Sequence, residues 1–199
     1  MQHLEHLRKD KKLHTVILPQ APVVLNSRDN IYLYLCASIM SQQLSTKVAD
    51  VIYKRFLDLY GNKKPTAKMI ATTSFETLRG IGLSNAKVNY VKNVCNFFIE
   101  NKVTDKKLQK MEDEELVTFL TQIKGVGRWT AEMILMFALG REDVFAVDDL
   151  GIQQSMTKLY KLDATDKKAL REKMIQLSSK WKPYRTYACR YLWGWKDGK

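Results

Sequence analysis

Apolar residues recur with the period of a helix along nearly the whole chain, and nowhere alternate with period two for long enough to suggest a strand. The sharpest block covers residues 116–138. Leu116, Phe119, Leu120 and Ile123 fall at i, i+3, i+4 and i+7, behind an acidic first turn of Asp113, Glu114 and Glu115 that suits the helix dipole. The pattern breaks at Gly125-Val126-Gly127, resumes at Ala131, Ile134, Leu135 and Ala138, and ends near Gly140. Upstream, residues 3–13 predict a short helix. Pro19 and Pro22 mark a loop, and Asn26, Ser27 and Asp29 are candidate caps for the apolar run IYLYLCASIM. The polar continuation of that run favours a buried helix over a buried strand. Val48, Val51, Ile52, Phe56 and Leu59 form one helical face, stopped by Gly61. Thr73 and Glu76 suggest a capping box before a short helix to Leu78. Gly80-Ile81-Gly82 is a cruder glycine hairpin, after which Ser84 caps a helix with Lys87 in its first turn and Val88, Val91, Cys95 and Phe98 inward. Residues 104–111 read as a short polar helix. Ile152, Met156, Leu159 and Tyr160 mark the next face, and Leu170, Met174 and Leu177 another. Pro183 fits the first turn of a last helix with Tyr187, Ala188, Tyr191 and Leu192 inward. The expectation is an all-α fold of nine or ten helices without an internal linker.

Charge changes the picture next. Lys and Arg number 33 against 21 Asp and Glu, a net charge of +12 on 199 residues. Such a surplus favours a polyanionic partner, although no run of basic residues reads as a tail or an import signal. No apolar stretch approaches the length of a membrane span, and the opening MQHLEHLRKDKK lacks an apolar signal core. Cys36, Cys95 and Cys189 are odd in number and scattered. That suits a reducing cytosol and cannot supply an iron–sulfur cluster or a CxxC zinc clip. His3, His6 and His14 all lie at the start of the chain and read as surface residues of a first helix, which argues against a histidine-based catalytic site.

Two stretches carry chemistry. The paired glycines allow positive φ and close approach of backbone to another molecule. The helix that follows turns its first N–H groups toward the hairpin, a ready site for a phosphate, with Arg128 to add a charge and Thr130 a hydroxyl. A plain αα-hairpin would show the same spacing, so the glycines alone leave both readings open. Asp148 and Asp149 follow the apolar residues 144–147 and precede a helix starting near Leu150. One of them caps that helix; the other is available. A single acidic pair serves phosphodiester hydrolysis poorly, because two-metal sites need several converging carboxylates. Cleavage of an N-glycosidic bond needs less. The sugar passes through an oxocarbenium-like cation that one anion stabilises, and the same carboxylate can orient a water. An alkylated, cationic base leaves without a general acid.

The run IKGVGRWTAEMILMFALGREDVFAVDDLGI resembles the helix-hairpin-helix, glycine-proline-aspartate DNA glycosylases, and more narrowly their 3-methyladenine DNA glycosylase II, or alkylation-repair, branch. SIMSQQLSTKVADVIYKRF, LRGIGLSNAKVNYV and WKPYRTYACRYLW match in the family's order, so the resemblance covers most of residues 31–195. It implies one two-lobed helical domain over residues 1–199, with lobe A at 1–30 plus 146–199, lobe B at 31–145, and the hairpin at 123–128. It implies that Asp149 is the catalytic carboxylate and Asp148 its helix-capping neighbour. Lys124, Gly125, Val126, Gly127, Arg128 and Thr130 match the DNA-backbone hairpin, whose carbonyls hold Na+ or K+ in the family; no cofactor is otherwise implied. Trp129 stands where lyase members carry a Schiff-base lysine. An indole cannot form that adduct, so the resemblance implies a monofunctional enzyme. Trp129 would stack on the extruded cationic purine and Trp193 would be a second pocket aromatic; core packing is the competing role for each. Gln42, Gln43 and Leu44 match the loop that wedges into the duplex. The implied partner is double-stranded DNA containing alkylated bases, met by a monomer away from membranes, in the cytoplasm on the nucleoid of a prokaryote or in the nucleus of a eukaryote.

Three departures matter. The family's prolines are replaced by Lys124 and by Ala146-Val147, the cluster cysteines of the endonuclease-III-like branch are missing, and an extra N-terminal sheet domain has no room. Two other classes share parts of the pattern. A non-catalytic helix-hairpin-helix DNA-binding or lesion-sensing protein has no use for Asp149, and an interaction protein that docks a partner helix shows no salt-dependent DNA affinity.

Overall fold

A computed structural model describes residues 1–198. Those residues form thirteen α-helices and one 3₁₀ turn, with no strand among them. The helices are α1 (Gln2–Leu7), α2 (Lys11–Ile17), α3 (Ile31–Ser41), α4 (Thr46–Asp58), α5 (Ala67–Thr72), α6 (Phe75–Gly80), α7 (Asn85–Glu100), α8 (Asp105–Lys110), α9 (Asp113–Leu120), α10 (Arg128–Phe137), α11 (Leu150–Tyr160), α12 (Lys167–Ser178) and α13 (Arg185–Lys196), with the 3₁₀ turn at Ser179–Trp181. No helix is long and apolar enough to cross a membrane.

The helix count exceeds the expected nine or ten because local capping divides what periodicity had merged. The helix expected at residues 3–13 is two, since Asp10 accepts hydrogen bonds from the amides of Lys12 and Leu13 and restarts the chain as α2. His3 is a second correction: it is buried, 8% exposed, and stacked on Tyr187 at 3.9 Å between ring centroids. None of Asn26, Ser27 and Asp29 caps α3. Asp105 does so from a distance, accepting from the amides of Asn30 at 2.7 Å and Ile31 at 3.1 Å. Ser74, rather than Thr73, caps α6. Pro183 lies two residues outside α13. The face of α4 is only half used, for Ile52 and Phe56 are buried while Val48, Val51 and Leu59 are exposed.

The chain divides into two compact units, residues 28–134 and residues 1–27 plus 135–199. The first is built on α7. Val88, Val91, Val94, Cys95 and Phe98 bury one face of it, against which α3, α5 and α6 pack. The second is built on α13, whose Thr186, Tyr187, Ala188, Cys189, Tyr191 and Leu192 are buried and which packs on α2 and α11. The boundary falls inside α10, some ten residues before the expected one. Residues 135–145 join the α13 unit because they bond to it. Asp143 forms an ion pair with Arg185 at 2.6 Å, the Val144 amide donates to Thr186 Oγ1 at 3.0 Å, and the Phe145 ring meets Trp181.

Candidate active site

In the α13 unit, residues 144–146 lie outside any helix and are buried at Val144 and Ala146, and the chain turns at Val147 and Asp148 before α11. Asp149 occupies the N-cap position, with φ −74° and ψ 125°. Its Oδ1 accepts the Ile152 amide at 2.9 Å and the Trp193 indole N–H at 2.8 Å. This corrects the expected division of labour between the two acids. Asp149 itself caps the helix, because only an N-cap side chain reaches the amide three residues on. Asp148 lies one residue earlier, in the turn. It is exposed, does not cap, and pairs with Arg171 at 3.0 Å. Trp193 is half-buried, donates to the carboxylate, and lies against Phe137 at 5.7 Å between centroids, the planes 30° apart. Trp193 and Phe137 also line an open cavity of about 570 Å³ with Gln20, Arg190 and Asp197. Core packing therefore does not account for Trp193.

In the α7 unit, α9 ends at Leu120 and α10 starts at Arg128, with Gly125, Val126 and Gly127 between them. Val126 is the anchor. It is buried, and its amide donates to the Ile123 carbonyl at 2.9 Å. Gly125 has φ +106°, and a Cβ there would run into the Tyr90 ring. Gly127 has open space around it. Asn93 Nδ2 donates to the Lys124 carbonyl at 3.1 Å and ties the entry of the hairpin to α7. The Lys124 side chain is exposed, and Trp129 is 40% exposed, so its indole is not core. Two neighbours depart from expectation. Thr130 is only 3% exposed, because it begins the inward face that continues through Ala131 and Ile134. Its hydroxyl is not on the surface. Arg128 is engaged by carboxylates, donating Nε to Glu132 at 3.0 Å and both terminal nitrogens to Glu114 at 3.0 and 2.5 Å.

Gln42, Gln43 and Leu44 form a tight turn after α3. Gln43 is left-handed at φ +58°, the Leu44 amide donates to the Ser41 carbonyl at 3.1 Å, and Gln43 and Leu44 are exposed. Lys87 holds this turn. Its ammonium donates to the carbonyls of Met40 at 3.0 Å and Gln42 at 2.8 Å, and burial lowers its pKa from the ordinary lysine value. Periodicity had placed Lys87 only in a first turn. Period does not single out Tyr90 or Gly151 either, although a glycine just inside a helix start is itself a signal of close packing. Among the described residues no group of three or more His, Cys, Asp or Glu is placed to hold a metal ion.

Residues 36–182 match the HhH-GPD superfamily of base excision DNA repair proteins. DNA-3-methyladenine glycosylase 1 of Schizosaccharomyces pombe is 37% identical over 164 residues, 81% of this chain and 71% of its own. A putative DNA-3-methyladenine glycosylase of Bacillus subtilis is 31% identical over 97% of this chain and 68% of its own. Among solved structures, the DNA-3-methyladenine glycosidase of Bacillus halodurans superposes with a TM-score of 0.85 at 34% identity, covering 98% of this chain and 89% of that one. The S. pombe 3-methyladenine DNA glycosylase, solved in complex with abasic DNA, gives 0.84 at 32% identity, covering 98% and 96%. A family match spanning the turn at residues 42–44, the glycine hairpin and the aspartate-capped helix leaves one conclusion, that this chain belongs to the HhH-GPD superfamily of base excision DNA repair proteins.

Proposed function

We propose that this protein is a monofunctional DNA glycosylase that releases alkylated purines of the 3-methyladenine and 7-methylguanine class from double-stranded DNA. It extrudes the damaged nucleotide, hydrolyses its N-glycosidic bond and leaves an abasic site in an uncut strand. The names of its relatives support the reaction class. The observation that carries the reading is the Asp149 carboxylate, held on one oxygen by the Ile152 amide and the Trp193 indole.

A cationic purine is a good leaving group, so the barrier lies in the positive charge that develops on the sugar. A carboxylate fixed beforehand stabilises that charge without reorganising, and orients the water that replaces the base. The hairpin backbone and the first turn of α10 bind a phosphate through N–H groups, and the basic surplus supplies affinity without base choice. Lys124 is the side chain there suited to a direct charge contact. Trp129, exposed beside the hairpin, stacks on the base and offers no amine for a lyase step. Gln43 or Leu44 enters the space that the base vacates. The Ile123 carbonyl accepts the Val126 amide and the Lys124 carbonyl accepts the Asn93 side-chain amide, and each such oxygen carries two lone pairs. Hairpin carbonyls therefore suit a monovalent cation, Na+ or K+, which would reinforce phosphate binding. The protein acts as a monomer wherever the cell keeps its DNA.

The rival reading, a non-catalytic lesion-binding module, draws on one observation: capping alone accounts for an aspartate at position 149. Asp149→Asn separates the two, because asparagine also caps helices and preserves the fold. We expect base release from methylated duplex to fall at least ~100-fold in that variant while DNA binding persists, and borohydride to trap no covalent adduct with the unsubstituted protein. Undiminished release would remove Asp149 from the mechanism; absence of release by the native protein would establish the binding module.

A further inference from the structure

We propose that Gly151 and Trp193 together set the position of the Asp149 carboxylate, Trp193 by donating to it and Gly151 by leaving out the methyl group that would stand between them. The inference rests on the reading of Asp149 as the catalytic carboxylate.

Trp193 Nε1 and the Ile152 amide donate to the same oxygen, Oδ1, from two directions, at 2.8 and 2.9 Å. The amide comes from the same helix turn. The indole comes from α13 and ties the carboxylate to that helix. Gly151 lies beside this bond. A Cβ on it would sit 3.1 Å from Asp149 Oδ1, 3.1 Å from Trp193 Cδ1 and 3.2 Å from Trp193 Nε1. Those separations are tighter than side chains normally accept, so the indole or the carboxylate would have to move by a few tenths of an ångström.

Conformation does not require the glycine. Gly151 lies in the first turn of α11, and its φ is outside the left-handed region. In a helix, glycine is less favourable than alanine. The residue therefore weakens its own helix, and what it provides is room for the indole to reach the carboxylate. Trp193 would then be a positioning residue that acts through Asp149. The alternative role, stacking on the extruded base, does not involve Gly151 and is independent of Asp149.

The test is a double-mutant cycle on base release under single-turnover conditions, with a duplex carrying one 7-methylguanine, alongside affinity for the same duplex bearing an abasic analogue. Trp193→Phe keeps an aromatic ring and loses the N–H. It should slow release by about tenfold, as expected for loss of a hydrogen bond to a charged group, and leave abasic-DNA affinity within about twofold. In an Asp149→Asn background the same substitution should change the residual rate by less than about twofold. Gly151→Ala should slow release several-fold while its thermal midpoint stays level or rises, a combination that a purely structural role cannot produce. Equal factors for Trp193→Phe in both backgrounds would assign Trp193 to the base and overturn the proposal, as would full activity in Gly151→Ala. If Trp193→Phe does not fold, Gly151→Ala in the two backgrounds decides by the same comparison. Full activity of Asp149→Asn would instead overturn the catalytic reading itself, and this proposal with it.

Discussion

Gly125 and Gly127 are indistinguishable as letters in a GxG motif, yet they are glycine for different reasons. Gly125 combines a left-handed φ of +106° with the Tyr90 ring where a Cβ would be. Gly127 has neither constraint, so its missing side chain leaves room for something outside the protein. Gly125→Ala should therefore cost stability, about 1–3 kcal/mol from backbone strain alone, with more from the displaced ring. Gly127→Ala should melt like the native protein and bind duplex DNA several-fold more weakly. A thermal melt and a DNA titration on each variant check the pair; a Gly127→Ala protein with native affinity would remove the hairpin backbone from the interface. The two aspartates show a related ambiguity. Adjacent acids offer the same cap chemistry, and only the register of α11, which puts the Ile152 amide within reach of position 149, selects between them.

Helix ends, more than helix faces, decide how the loops are presented. The first turn of α7 supplies Lys87, whose ammonium closes the end of α3 by donating to two carbonyls, those of Met40 and Gln42. Lys87 thereby braces the 42–44 turn, in which Gln43 is in the left-handed region and Leu44 is exposed. Replacing Lys87 by Met keeps much of the aliphatic stem and removes the donors. The expected outcome is faster hydrogen exchange at the Leu44 amide, which bonds to Ser41, and several-fold weaker binding to duplex DNA. Native exchange at Leu44 in that variant would show that the turn holds itself. The face of α7 is legible from period alone, since Val88, Val91, Cys95 and Phe98 are all buried as the spacing predicts. The caps were less so. Asp105 closes α3 from 75 positions away, a partner that no local pattern reveals.

The two ends of the chain make one unit, and Asp10 joins them. Its carboxylate accepts the Tyr160 hydroxyl at 2.5 Å, the Trp181 indole at 2.9 Å and the Lys180 ammonium at 2.8 Å, besides capping α2. Burial pushes the Asp10 pKa up, but the Lys180, Tyr160, Trp181 and Leu13 donors outweigh it and bring the pKa from 3.8 down to about 2. A carboxyl whose folded pKa lies below its unfolded value stabilises the fold fully above the unfolded value. That contribution is lost as protons bind to the unfolded chain, and it is gone once pH reaches the folded value. The native protein should therefore lose stability as pH falls from about 4 toward about 2. Asp10→Asn should be less stable at neutral pH and show a flatter acid limb; an identical limb in denaturant titrations would rule out Asp10 as its source.

Periodicity, charge and residue inventory are properties of short stretches or of totals, and they were enough for an all-α chain, a glycine hairpin, a polyanionic partner and an acidic pair before a helix. Resemblance in motif order extended this to a family. Everything that depends on a partner distant in the chain awaited the folded coordinates. Trp193 reaches Asp149 across 44 positions and Trp181 reaches Asp10 across 171. Arg128 is engaged by Glu114, Tyr90 lies where a Gly125 side chain would be, and His3 is buried rather than exposed. The physical reason is the range of the forces. A helical period is set by hydrogen bonds four residues apart, whereas orientation of a carboxylate or burial of an imidazole depends on which surfaces the chain brings together.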